Sequence, residues 1–167
     1  NLRILTGTAW HFFLEHRFQG DKWDEVAHTP EIKKLSVGVI EGYGEIKGTA
    51  DAYSTKYATV VDFKTTTKAN LQRIKRNGLS QTYEYQRHIY GKGIENAGKP
   101  IEFVANLFIP PDGYSLSDLW YDIAPYDPTK ADRALARASL IFNEYVLADR
   151  IDDLGSDEDC FRCNRRF

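Results

Sequence analysis

Between residues 35 and 67 the chain reads LSVGVIEGYGEIKGTADAYSTKYATVVDFKTTT. The stretch is dense in β-branched and aromatic residues and is broken at short intervals by glycine. That pattern suits strands joined by tight reversals and argues against one long helix. It predicts three strands in succession, at about 35–41, 44–53 and 57–63, with Ser54-Thr55-Lys56 turning the second into the third. The third strand has an uncommon end. Val60 and Val61 are followed by Asp62, Phe63 and Lys64. Residues two apart on a strand share a face, so Asp62 and Lys64 point together and Phe63 points to the other side, into the core. Taken alone, the polar pair reads as a same-face ion pair at a strand end.

The flanking patterns are mostly helical. GTAWHFFLEHRFQGDKW predicts an opening helix with Trp10, Phe13, Leu14 and Phe18 at helical spacing and Gly20 as its stop. His11 and Glu15, four apart, share one face of it. Residues 21–34 are polar, hold Pro30 and are expected to form a loop. LSQTYEYQRHIYGKGIENAG predicts a second helix ended by Gly98 and Pro100, with Leu79, Tyr83, Gln86 and Tyr90 on one stripe and Tyr85 and Ile89 on the next. IEFVANLFIP and LWYDIAPY read as two further strands joined through Pro-Asp-Gly. Residues 129–150 predict a last helix with an apolar stripe of Ala131, Leu135, Ala138, Phe142 and Tyr145. The order helix, three strands, helix, two strands, helix predicts one α/β domain, with an antiparallel meander feeding a mixed sheet. Residues 155–167 form a cysteine-containing tail.

Composition limits what such a domain can be. At 167 residues, with 42% hydrophobic and 28% charged residues, the chain can bury a core, which excludes wholesale disorder. Its apolar runs are too short to span a bilayer and no signal-peptide pattern opens it, so a soluble, cytoplasmic protein with no membrane partner is expected. A formal net charge of -2 gives no global basic field. Locally, however, Lys64, Lys68, Arg73, Lys75 and Arg76 follow one another with no acid between them, while Asp149, Asp152, Asp153, Asp157, Glu158 and Asp159 crowd the other end. The basic run reads as a solvated loop that can also meet phosphate. Two cysteines, Cys160 and Cys163, exclude a disulfide framework. The chain begins at Asn1, contains no methionine and stops soon after CFRC, so one or both natural ends are expected to lie beyond it.

Several polar residues stand where they could join Asp62 and Lys64. If the turn after Tyr53 reverses the chain, Asp51 and Asp62 lie on neighbouring strands. Two carboxylates brought together repel and lose solvation, a cost that a divalent cation relieves. Oxygen ligands suit Mg²⁺ or Mn²⁺, and an added imidazole from His11 tilts the choice toward Mn²⁺. Glu15 could orient His11. Gln86 and Tyr90 share a helix face, and a buried Gln86 would need a polar partner such as Lys64. Gln81 and Tyr85 repeat the spacing on another face. Each signal has a plain alternative: turn-capping aspartates, an exposed His–Glu pair, a solvated glutamine.

In order, GTAWHFFLE, GTADAY, VVDFKT and QRHIY resemble the RecB-type nuclease family of the PD-(D/E)XK superfamily, its CRISPR-associated and phage-encoded members above all. The resemblance runs from Gly7 to Tyr90. It implies a restriction-endonuclease-like core, with His11, Asp51, Asp62 and the Phe63 carbonyl as ligands of Mg²⁺ or Mn²⁺. It makes Lys64, Gln86 and Tyr90 catalytic residues. The implied activity is metal-dependent hydrolysis of DNA, single-stranded or duplex and of exonuclease type, in a bacterial or phage-infected cell. Lys68, Arg73, Lys75 and Arg76 would meet the DNA backbone. Some relatives hold an iron–sulfur cluster on four cysteines. With Cys160 and Cys163 alone this chain cannot complete one, and CFRC could equally bind zinc with outside ligands or no metal. The rival readings are a non-catalytic nucleic-acid-binding module on a nuclease fold and an assembly protein that docks a protein partner or a second copy of itself.

Overall fold

The computed structural model describes residues 34–113 and 115–155, with Thr8, Ala9, Phe12 and the Val26–Ala27 strand before them. Among the described residues there are seven strands: β1 (Val26–Ala27), β2 (Leu35–Ile40), β3 (Gly44–Gly48), β4 (Ala52–Ser54), β5 (Thr59–Thr65), β6 (Phe103–Ile109) and β7 (Trp120–Pro125). The helices are α1 (Lys68–Asn77), α2 (Gln81–Asn96) and α3 (Pro128–Ile141), the last continued by a π-helical turn at Phe142–Val146. Five strands make a mixed sheet in the order β1-β4-β5-β6-β7, and β2 and β3 form a separate hairpin. The α/β architecture with a mixed sheet flanked by helices agrees with the sequence pattern.

The differences have local causes. The predicted strand at 44–53 breaks at residues 49–51. The expected three-strand meander is therefore split: β3 pairs with β2, while β4 pairs with β5 in the main sheet. A two-residue strand, β1, sits in the expected loop and pairs with β4. The basic run is helical rather than a loop. Thr67 caps α1 by accepting from the Asn70 N–H at 3.2 Å, and Gly78, at φ 82°, ends it. Only Leu71 and Ile74 are buried along α1, and they pack on Phe108. Two buried side chains on an otherwise polar helix give little periodic signal. Thr8, Ala9 and Phe12 are helical, in keeping with the opening helix.

β5 and β6 run parallel, so the chain must cross over between them, and α1 and α2 form that crossover. α2 begins at Ser80, whose hydroxyl accepts from the Tyr83 N–H, and lies on the sheet with Arg87, His88, Gly91, Gly93 and Ile94 buried. Its glycines allow close approach: a Cβ at Gly93 would sit 2.8 Å from Leu35 Cβ. Leu35, Val37, Tyr53, Val60, Ile94 and Val104 form the core on this side. Ala52, Phe63, Leu107 and Ile109 form a second cluster, which places the Phe63 ring in the core as expected.

Candidate functional site

The end of β5 gathers the polar residues. Asp62 and Lys64 share a face, and Lys64 Nζ lies 2.7 Å from Asp62 Oδ2. Lys64 Nζ also donates to Gln86 Oε1 at 2.7 Å, and Gln86 Nε2 donates to the Tyr90 hydroxyl at 2.9 Å. The helical spacing of Gln86 and Tyr90 thus becomes a relay from α2 to the β5 lysine. Lys64 Nζ also sits 4.9 Å from the centre of the Tyr83 ring, a cation–π contact. Gln81 and Tyr85, the competing pair, bond to each other at 3.3 Å on an exposed face.

Asp51 occupies the break between β3 and β4. Its Oδ2 accepts the Phe63 N–H at 2.7 Å, which ties the break to β5 between Asp62 and Lys64. Asp62 is 3% exposed. Burial pushes its pKa above the ordinary carboxylate value, and the Asp51 charge adds to that push. The Lys64 ammonium opposes both, as does the hydrogen bond from Asn106 Nδ2, 2.9 Å from Asp62 Oδ2. The Tyr90 hydroxyl is also shifted upward, first by burial, with the charges of Asp62 and Asp51 contributing. A buried anion fed by a second carboxylate is a setting in which a divalent cation lowers the free energy.

Two depressions lie beside α2. An open groove of about 700 Å³ lies against Lys47, Tyr85, Gln86, Tyr90 and Arg137. A second, of about 340 Å³, lies against Asn70, Arg73, Ser80 and Tyr83. The basic residues of α1 divide into two kinds. Lys68 pairs with Asp118 at 3.1 Å, and Lys75 Nζ lies 5.4 Å from the Trp120 ring centre. The Arg73 guanidinium is steadied by Asn70 Oδ1, at 3.0 and 3.2 Å, on the wall of the second depression. Arg76 makes one long contact, 3.4 Å, to the Gln72 carbonyl.

Of the expected set, Asp51, Asp62, Lys64, Gln86 and Tyr90 come together, and Phe63 joins them through its backbone N–H. His11, Glu15, Cys160 and Cys163 lie outside the described residues. Among the described residues no three His, Cys, Asp or Glu side chains are grouped to hold a metal ion, and of the expected side-chain ligands Asp51 and Asp62 are the described pair. Tyr83 and Asn106 were not singled out by pattern. Tyr83 was hidden in an apolar stripe, whereas Asn106 carried a signal, being the one polar residue of FVANLFI.

Comparison with known proteins adds a fold likeness. No protein-family model and no curated protein matches the sequence. The crystal structure of SSO0001 superposes with a TM-score of 0.51 at 22% identity, over 85% of this chain and 61% of that one. This chain therefore spans less than two thirds of that protein. The likeness concerns the fold. Among the described residues no helix is long and apolar enough to cross a membrane.

Proposed function

We propose that this protein is a divalent-metal-dependent DNA nuclease built on a PD-(D/E)XK-type core. The observation that carries the reading is the convergence of Asp51, Asp62, Lys64, Gln86 and Tyr90 through direct hydrogen bonds and an ion pair. Two carboxylates, one nearly fully buried and each oriented by a fixed donor, fit a hard cation such as Mg²⁺ or Mn²⁺. Asp51 and Asp62 would hold it, with the Phe63 carbonyl and His11 completing the set. When bound, such an ion lends positive charge to a phosphate and acidifies water.

The chain's own residues supply the remainder. Lys64 presents an ammonium beside the carboxylates. There it orients the attacking water or offsets negative charge growing on the phosphate oxygens. Gln86 holds that ammonium through Oε1, and Tyr90 fixes the Gln86 amide so that Oε1 faces the lysine. Arg73 and Arg76 are the α1 cations best placed to meet the DNA backbone, since Lys68 and Lys75 already face Asp118 and Trp120.

The test is degradation of end-labelled single-stranded, duplex and circular DNA with Mn²⁺ or Mg²⁺. Cleavage by the wild type and its loss in Asp62→Ala and Lys64→Ala is expected. Cleavage that survives in a pure Asp62→Ala preparation would falsify the site. Digestion of the circular substrate would assign endonuclease action. DNA binding without turnover would favour a non-catalytic binding module.

A further inference from the structure

Three residue rows cross strands β5, β6 and β7 on the side where α2 lies. Val60, Val104 and Ala124 form one, Asp62, Asn106 and Asp122 the next, and Lys64, Phe108 and Trp120 the third. The middle row is polar and runs between two largely apolar ones. We propose that Asn106 is a positioning residue for Asp62, held in that role by the Arg87–Asp122 ion pair. The inference rests on the metal-nuclease reading above.

Asn106 is 0% exposed, and its Oδ1 has no hydrogen-bond partner. A buried amide left half-satisfied costs free energy that an apolar residue of similar size would avoid. Its Nδ2, however, donates to Asp62 Oδ2 at 2.9 Å, the oxygen that also receives Lys64 Nζ at 2.7 Å. Two donors from different strands on one oxygen fix the carboxylate plane and therefore the direction in which Oδ1 points. The amide orientation follows from chemistry, because a carboxylate only accepts and the NH₂ must face it.

Asn106 stands in register with a carboxylate on each side, Asp62 on β5 and Asp122 on β7. Arg87, 5% exposed, decides between them. Its Nη1 donates to Asp122 Oδ1 at 2.5 Å and to the Asp122 carbonyl at 3.3 Å. The β7 acid is thereby neutralised, and the Asn106 NH₂ is directed to Asp62. Arg87 adjoins Gln86, so one turn of α2 reaches both ends of the polar row, Asp62 by way of Gln86 and Lys64, and Asp122 through Arg87. Aspartate at 106 could not replace the amide, since it would set a second carboxylate against Asp62.

The experiment measures Mn²⁺ affinity by calorimetry at one pH for wild type, Asn106→Leu and Asp62→Ala, with a metal-free thermal melt of each. Leucine keeps the branched heavy-atom outline of asparagine, is bulkier, and removes the donor. The expected result is cooperative melting and Mn²⁺ binding weakened by roughly 10- to 100-fold, the range usual for residues that orient a metal ligand. The DNA cleavage lost at low Mn²⁺ should return at saturating Mn²⁺, a recovery that general loss of structure would not give. If Asn106→Leu does not melt cooperatively, Asn106→Ala, which also lacks the donor, is measured in its place. Wild-type affinity in a folded variant overturns the inference and leaves the nuclease reading standing. Absence of Mn²⁺ binding by the wild type overturns both.

Discussion

Lys64 on β5 and Gln86 on α2 are joined by a 2.7 Å hydrogen bond from the ammonium to the amide oxygen, across 22 positions of sequence. The bond makes the placement of the lysine depend on the seating of a helix. Gln86→Leu is expected to leave the fold intact and lower DNA cleavage by about 10- to 100-fold, since displacing a reacting group by ~1 Å can cost about that much. Single-turnover cleavage rates at saturating metal check it. Tyr90→Phe, which removes only the acceptor behind Gln86, should give the smaller loss.

His88, on α2, is fully buried, with Nδ1 accepting the Asp127 N–H at 3.1 Å and its ring stacked on Tyr126. Burial, with the nearby Lys130 and Arg87 charges, lowers its pKa from 6.5 to about 4. The unfolded chain therefore binds a proton between those values that the folded chain refuses. The contribution to stability is complete above pH 6.5 and is lost as pH falls toward 4, by up to roughly 3 kcal/mol. In His88→Asn, whose Oδ1 can accept the same N–H, this part of the acid sensitivity should vanish. Urea unfolding of both proteins at several pH values between 4 and 7 measures it.

A Cβ at Gly91 would lie 2.7 Å from two Tyr126 ring carbons and 3.1 Å from Val104. The ring has little freedom to move, since it stacks on His88 and its hydroxyl donates to Glu95 Oε2 at 3.0 Å. Gly91→Ala should destabilise the fold by about 1–3 kcal/mol despite alanine's better helix propensity. A lowered denaturant midpoint with an unchanged m-value would confirm that stability alone has changed.

DNA affinity should fall with added salt, by about 0.7 in log–log slope for each single-strand phosphate contacted. Arg73→Ala with Arg76→Ala should flatten that slope more than Lys68→Ala with Lys75→Ala, because the lysines already face Asp118 and Trp120. Fluorescence anisotropy at several salt concentrations compares the two. Equal flattening would remove the distinction between these cations.

The sequence made the β5 end legible because strand periodicity is short and rigid: Asp62 and Lys64 had to share a face, and Phe63 had to oppose them. The Gln86–Tyr90 spacing was legible for the same reason on a helix. α1 was not, since Leu71 and Ile74 are its only buried side chains and its polar surface resembles a loop. The split of the meander was hidden as well. Gly48-Thr49-Ala50-Asp51 carries no strong turn signal, and only the pairing of β3 with β2 and of β4 with β5 reveals that the chain leaves one sheet for another. The Arg87–Asp122 pair joins residues 35 apart and has no local signature at all.

That passage between sheets has a further consequence. Asp51 sits at the crossing point, bracketed by Ala50 at 0% and Ala52 at 3% exposure. Asp51 itself precedes the β4–β5 ladder, which begins at Ala52, and the enclosed methyl groups on either side of it and the bond to the Phe63 N–H help to locate its carboxylate. The alanines are thus size gauges for the site. A bulkier side chain at either would shift the neighbouring acid through the backbone, coupling core volume to chemistry across the chain's turn from hairpin to sheet.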